Sequence, residues 1–501
     1  MPNRKKILSG ISIDFFGSII ATIVGFAVVP FYFDYITINE FGVWLAMGSL
    51  TALITIVDLG TDQYLTTVTA NDEKFFSDSF KDYLTSILFI KSIISLLLGF
   101  IGILLYFFLA NVIDIDKQYL GDAKIVLILG VLTLIAGVFF STISTILYAR
   151  HHYSLINSFI SIFAILTSIG TLFVLSCGYG ILSFPLVILG VTIIQHTILF
   201  IYMLKKYPHI KLRIRGFHFI EKYEIIGYTT TFQVLRWVHT LRTQYITLAI
   251  NNLAGPMYVA QYNLTNKIPQ MIPAYAVKIV HPFFPSIADY FQKGDIEQIQ
   301  IIFIKINKIL TRLAIFFSIS ILILNEAFLS LWVGHDKFTG NTTLLWITIY
   351  MFMYVTMQAF GIIIYASKKF ENWTKWSLLE IIITLTTSYL FSIHFGLTGI
   401  IAGFVLSSMI TQLYLFHIVL RQLNITKLSF FKEILQYALP SNILPLGTGI
   451  YVYMNISLSN WMNFIFVGIL LVLSHLILDG LKVLTSNEPG IKNKFLKAIE
   501  L

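Results

Sequence analysis

Residues 123–148 read AKIVLILGVLTLIAGVFFSTISTILY, twenty-six residues with one charge, Lys124, near the entrance. An α-helix needs about 20 predominantly apolar residues to cross roughly 30 Å of hydrocarbon. This stretch qualifies, and it stops on Arg150-His151-His152. Working outward, thirteen further segments have the same character: 9–33, 43–60 and 83–109 before it, then 156–176, 181–203, 224–250, 256–288, 309–332, 343–366, 374–394, 397–420, 438–455 and 461–480. The segment 438–455 is short and carries Pro440, Pro445 and two glycines. The expected fold is therefore an all-α polytopic membrane protein of about 14 transmembrane helices.

Composition agrees. Of 501 residues, 57% are hydrophobic and 12% charged, with 43 Phe, whereas a soluble chain carries roughly 25% charged residues to cover its surface. A single cysteine, Cys177, excludes an intramolecular disulfide and any cysteine-based zinc or iron–sulfur site. The net charge of +9 reads as Lys and Arg retained on the cytoplasmic side of a membrane rather than as a nucleic-acid surface. Arg4-Lys5-Lys6 precede an apolar run to Phe33. That run is too long for a signal-peptide core and lacks a small-x-small cleavage site, so it reads as an uncleaved first span.

Orientation follows from the 34 Lys and Arg. With the N-terminus inside, 26 fall on inner segments, among them Lys205, Lys206, Lys211, Arg213, Arg215 and Lys222 of the loop after span six. Only Lys117, Lys124 and Lys337 fall outside. The asymmetry alternates without exception, as the positive-inside rule requires. It supports both the span count and cytoplasmic placement of both termini.

An internal repeat divides the chain. Leu147-Tyr148-Ala149-Arg150 at the end of span four is answered by Ile364-Tyr365-Ala366-Ser367 at the end of span ten, and Gly178-Tyr179-Gly180-Ile181 by Gly396-Leu397-Thr398-Gly399-Ile400. Six spans, an even number, separate the copies, which makes the repeat parallel. The expected organisation is an N-lobe at 9–203, a cytoplasmic basic loop at 204–223, a C-lobe at 224–420, an appended helical pair at 438–480 and a cytoplasmic tail at 481–501.

Five cations lie inside the predicted spans: Lys91, Arg236, Arg242, Lys267 and Lys278. Each would cost about 2.5–3.5 kcal/mol facing lipid at mid-membrane, so they are expected to face protein or water. In span eight, Asn263, Asn266, Lys267, Gln270, Ala274, Lys278 and His281 recur at steps of three and four, which predicts one continuous helical face. Pro269 and Pro273 predict a kink with freed carbonyls. Gln233, Arg236, His239, Thr240 and Arg242 mark a wider arc of span seven. Together they predict a hydrated, net-cationic cavity between the lobes. Asp14, the one carboxylate well inside its helix, is open to two readings, a cavity residue or an ion-pair partner of one cation. Lys91, eight residues into span three, is placed to snorkel to the inner face. Asp58 reads as a cap or hinge and Glu380 as an interfacial carboxylate.

Enzyme signatures are missing. There is no G-x-x-x-x-G-K-S/T phosphate loop, no H-E-x-x-H and no G-x-S-x-G. Ser429-Phe430-Phe431-Lys432 fits S-x-x-K without its companion motifs, a coincidence. The outer loops are short. A transporter without catalytic residues, metal or cofactor is expected.

Phe41-Gly42-Val43-Trp44, Asp58-Leu59-Gly60, Tyr148-Ala149-Arg150 with Asn157, Pro285, Leu331-Trp332-Val333-Gly334 and Tyr365-Ala366 with Gly399-Ile400 follow one another in order. In this they resemble the polysaccharide-transporter branch of the multidrug/oligosaccharidyl-lipid/polysaccharide exporter superfamily, and bacterial O-antigen unit flippases within it. The resemblance implies translocation of an undecaprenyl-diphosphate-linked oligosaccharide across the bacterial inner membrane by alternating access. It further implies that helices one, two, seven and eight line the cavity and that the last two helices form a groove for the polyprenyl tail. Membrane lipids, a coupling proton or sodium ion and a polysaccharide polymerase complex are the partners it suggests, with no nucleic acid. On this reading Arg236 and Lys267 contact the diphosphate, Lys278 serves the inner mouth, and Asn263, Asn266 and Gln270 meet sugar hydroxyls. Arg242, His239 and Asp14 complete the expected cavity set. Arg242-Thr243-Gln244 stands where many relatives carry an acid, which puts carboxylate-based coupling there in doubt. The competing readings are a drug or organic-cation antiporter of the same superfamily, which would want carboxylates in the cavity, and a membrane polymerase or acyltransferase.

Overall fold

The computed structural model describes residues 4–57, 60–77, 79–210, 220–367 and 371–485. Among them the secondary structure is helical throughout. Such a fold follows from composition, because a helix satisfies its own backbone hydrogen bonds where no water can. The chain forms two compact units, Met1–Ala260 and Gln261–Leu501.

The first unit holds α1 (Arg4–Tyr32), α2 (Ile38–Ile54), α3 (Thr61–Ala70), α4 (Asp72–Phe75), α5 (Ser79–Val112), α6 (Lys117–Ala149), α7 (Tyr153–Ser176), α8 (Ser183–Lys206) and α9 (Ile220–Ala254). Helix α10 (Pro256–Thr265) crosses the division. The second unit continues with α11 (Met271–Val280), α12 (Phe284–Lys293), α13 (Ile296–Trp332), α14 (Asn341–Ser367), α15 (Glu371–Gln422), α16 (Lys427–Asn455) and α17 (Trp461–Thr485). Each of the fourteen predicted segments overlaps a helix among the described residues. Seven described helices are long and apolar enough to cross a membrane by length and composition, and 16–32, 38–54 and 461–477 are shorter apolar ones. The Trp373–Gln422 stretch contains two predicted spans, separated at Gly396, whose φ of 54° is closed to most L-residues. Gly178 and Gly180, at φ 88° and 53°, turn the chain between α7 and α8. Each copy of the glycine motif contains a glycine at positive φ and is followed by a buried isoleucine, Ile181 or Ile400, but Gly399, unlike Gly180, is not at positive φ.

Two boundaries differ from expectation. Span two was expected to run unbroken over 43–60, yet α2 ends at Ile54. The Thr55 hydroxyl donates back to the Ala52 carbonyl (2.7 Å), a 3-10 turn follows, and Gly60 at φ 70° redirects the chain into α3. Span eight, expected as one kinked helix, is three short ones. Asp58 lies outside the described residues, as does the side chain of Asp14.

Packing explains several of the sequence motifs. Thr37 and Glu40 form a reciprocal cap at the start of α2, Thr37 N–H donating to the carboxylate at 2.7 Å and Glu40 N–H to the hydroxyl at 3.2 Å. Trp44 then stacks on Phe184 at 4.2 Å. Arg150 closes α6 by pairing with Asp72 (2.6 Å) and covering Phe75 (4.5 Å). His209 sits edge-on to the same ring at 5.0 Å. Burial first, then the Lys81 and Arg150 charges, hold this imidazole below its usual range. In the second unit Phe303, Phe360, Phe416 and Phe430 interlock, with Phe303 edge-on to Phe360 at 4.9 Å.

Gly42 gives a direct check on helix contact. The Pro256 carbonyl stands where a Cβ on Gly42 would be, whereas Gly48 on the same helix faces open space. Gly42→Ala should lower stability by about 1–3 kcal/mol, read as a lower Tm of the purified protein. Gly48→Ala should hold or raise Tm, since Ala is the better helix former by about 1 kcal/mol.

Candidate functional site

The charged helix of the first unit is α9, which packs against α2 and α3. The structure divides the predicted arc by depth. Gln233 points into the unit and is buried, Arg242 is half-buried, and Arg236 and His239, three residues apart, stand exposed on one side. Thr243 returns its hydroxyl hydrogen to the His239 carbonyl (2.9 Å). That bond keeps the side chain satisfied within the helix.

In the second unit the residues following α10 build a different feature. A helix carried through position 269 would bond its N–H to the Thr265 carbonyl, but proline has no N–H. The chain leaves α-geometry at 266–270 and resumes as α11 at Met271. Asn325 on α13, 3% exposed, donates its amide to the orphaned Thr265 carbonyl at 3.1 Å. The Thr265 hydroxyl in turn accepts the Thr339 N–H at 3.3 Å. The predicted kink with a freed carbonyl is present, but the predicted continuous face is not. Asn266, Lys267 and Gln270 lie in the break, with Asn263 on the helix before it and Lys278 on the helix after it.

Within the break Asn266 reaches the Tyr262 hydroxyl at 3.4 Å. Lys267 is half-buried, and among the described residues no carboxylate pairs with it. Gln270 and Lys278 are exposed. The break is a turn in which the Asn266 N–H donates to the Tyr262 carbonyl (2.8 Å) and the Gln270 N–H to the Asn266 carbonyl (3.0 Å), held from behind by one amide. At membrane depth such backbone survives where it lines protein or water.

Lys91 corrects the snorkelling expectation. It is 2% exposed and spends its three ammonium hydrogens inside the first unit: on Asp62 Oδ1 of α3 (2.5 Å), and on Ser141 Oγ (2.8 Å) and Thr142 Oγ1 (2.9 Å) of α6. A compact ammonium with three donors and exactly three acceptors is satisfied without reaching either surface. Asp62, Ser141 and Thr142 escaped the sequence reading. Asp62 sits beyond the apolar run of span two, in a segment treated as loop. The signal was the need of Lys91 for a carboxylate, with Gly60 marking where the chain turns to bring one. No group of three or more metal-ligating side chains occurs among the described residues.

Comparison with known proteins places this geometry. The family model described as "Polysaccharide biosynthesis protein" matches residues 7–291. No curated protein matches the chain in sequence. Among solved structures, a lipid II flippase, MurJ, in an inward closed conformation superposes with a TM-score of 0.72 at 15% identity, covering 93% of this chain and 98% of its own. An inward-facing multidrug resistance transporter of the MATE family, itself of the MOP superfamily, gives 0.61 at 13% identity over 83% of this chain and 98% of its own. The MATE multidrug transporter DinF-BH gives 0.56 at 17% identity over 85% and 95%. At these identities the likeness is one of fold.

The Lys91 cradle yields a double-mutant test. Removing one partner of a buried ion pair strands a charge at a cost of about 3–5 kcal/mol, while replacing both by apolar groups is often near neutral. Asp62→Asn and Lys91→Met should each lower Tm sharply. The Lys91→Met, Asp62→Leu double variant should recover most of the loss, a non-additivity read from the four Tm values.

Proposed function

The chain belongs to the polysaccharide biosynthesis protein family, and from that premise we propose that it is a flippase for an undecaprenyl-diphosphate-linked oligosaccharide, an O-antigen or other surface-polysaccharide repeat unit. It is a multi-pass membrane protein with the exporter-superfamily fold. In the proposed cycle the substrate passes from the cytoplasmic to the periplasmic leaflet of a bacterial inner membrane by alternating access through a cationic passage. Both termini lie in the cytoplasm.

The observation that carries this reading is Lys267, half-buried on irregular backbone with no paired carboxylate among the described residues. A sugar headgroup loses several kcal/mol per hydroxyl on entering hydrocarbon, and a diphosphate far more. A hydrated passage with fixed cations removes that barrier while the polyprenyl tail stays in lipid. Lys267 supplies a mobile point charge to the diphosphate and Arg236 a planar fork. Arg242 and His239 stand on the same helix as Arg236. Asn263, Asn266 and Gln270, clustered around the break, suit sugar hydroxyls, and Lys278 serves the inner mouth. An inside-negative potential assists export of an anion by about 2.3 kcal/mol per charge per 100 mV, with a proton or sodium gradient as the further drive. The chemistry is transport, so no covalent step is assigned to any residue.

Reconstitution tests the assignment. In liposomes, leaflet exchange of a labelled undecaprenyl-diphosphate sugar should fall at least tenfold in Lys267→Ala and Arg236→Ala at equal inserted protein, and Lys267→Arg should keep more activity than Lys267→Ala. Wild-type exchange by both alanine variants would overturn the site. Transport of an organic cation with no lipid-linked sugar exchanged would overturn the substrate class.

A further inference from the structure

A second polar site lies wholly within the second unit. A pocket of about 560 Å³ opens where the start of α13 faces the turn from α15 into α16, and Gln300, Lys305, Lys308, Asn424, Ser429 and Glu433 supply its polar lining. Asn325, which holds the proline break, is 17 residues beyond Lys308 on α13. That is about 26 Å along a helix axis, so the pocket is separate from Lys267 and its neighbours.

Its walls are preformed. The Gln300 amide donates to the Leu423 carbonyl at 2.6 Å and fixes the turn. Asn424 takes a left-handed conformation, φ 52°, that swings the chain toward α16. Lys308 and Glu433 pair at 3.0 Å across the pocket. Lys305, one turn from Lys308, is exposed, and among the described residues no carboxylate pairs with it. The Ser429 hydroxyl and the Asn424 amide also make no hydrogen bond among the described residues. One uncompensated ammonium with two neutral donors nearby is a receptor for a singly charged oxyanion.

The rim says where that anion comes from. Ile301, Ile304 and Ile425 line the pocket beside these polar groups, and Ile301 is exposed. Apolar side chains bordering a cationic pocket at the Lys-rich end of membrane helices match an acyl chain below a charged headgroup. We propose that this pocket binds the phosphodiester headgroup of an anionic phospholipid. Lys305 is the principal contact and Glu433 a brake that holds Lys308 partly neutralised. Supply from the cytoplasmic leaflet rests on the orientation proposed above; binding does not.

Titration of the detergent-solubilised full chain tests this, with Tm as readout and short-chain phosphatidylglycerol, phosphatidylcholine or inorganic phosphate as probe. Phosphatidylglycerol should raise Tm saturably, and the other two should not at matched concentration. Lys305→Gln should weaken the phosphatidylglycerol midpoint about fivefold. Glu433→Gln should tighten it, because it frees Lys308; a residue with a merely structural part in the pocket would not improve binding when altered. Equal response to phosphatidylcholine, equal response to inorganic phosphate, or an unchanged midpoint in both variants would each overturn the proposal. Because no lipid-linked sugar is present, failure here leaves the flippase assignment standing, and failure of flipping leaves this site standing.

Discussion

The architecture depends on the demand that every polar group taken into hydrocarbon be matched inside the protein. Its clearest expression is the Thr265 carbonyl. Pro269 removes the N–H that would have met it, and a buried asparagine three helices on, Asn325 of α13, replaces that N–H. An amide on α13 thus makes a break in span eight tolerable and holds its shape. Without such a partner the freed carbonyl would cost about 1–3 kcal/mol, and the chain would tend to close into regular helix or distort elsewhere. The break persists because it is supported from one side, and it carries Asn266, Lys267 and Gln270 on a turn between two helices.

The same demand sorts the cations. Lys91 has a carboxylate and two hydroxyls at bonding distance and is sealed from both surfaces. Its charge is spent tying α3 to α5 and α6. Arg150 does similar work at the other end of α3 and α4, through Asp72 and two phenyl rings. These two pairs turn the short inner helices, too small to be stable alone, into part of the first unit. Lys267 sits at comparable depth in sequence and lacks such a partner. The difference between Lys91, which builds the fold, and Lys267, proposed to meet a ligand, is the presence or absence of a local counter-charge.

How far the sequence carried the argument can be traced through particular residues. The helical segments and the turn between spans eleven and twelve were legible because apolar length and a glycine with nothing to continue the helix are strong local signals. The freed carbonyl at Pro269 was legible for the same reason: proline chemistry is local. The fate of that carbonyl was not, because Asn325 lies 60 residues on and reads in sequence as an ordinary polar residue in a span. Lys91 was misread on the same ground. Its distance from the membrane surface suggested an escape route, whereas its partners arrive from α3 and α6, 29 and 50 residues away. Span two was drawn too long because apolar composition continues past Ile54 while the backbone, tightened by Thr55 and turned at Gly60, does not. Periodicity finds which residues share a face; it is blind to a break that changes the face midway, as in span eight.

One consequence concerns how a single chain can handle lipid in two ways. The substrate proposed for the break carries a diphosphate and needs its cations to bind and then release, so a point charge without a fixed counter-charge suits it better than a closed cage. The pocket at the start of α13 has a different build: a turn fixed by the Gln300 amide, an ion pair between Lys308 and Glu433, and three isoleucines in its lining, of which Ile301 is exposed. A rigid site with one spare charge favours steady occupancy by an abundant lipid of low charge over capture of a rare diphosphate. Counter-charge therefore separates Lys91 and Lys308, each paired with a carboxylate, from Lys305 and Lys267, which pair with none among the described residues. The first two serve the scaffold, and the last two are the ones proposed to meet a lipid phosphate and a transported diphosphate, whatever sugar the headgroup carries.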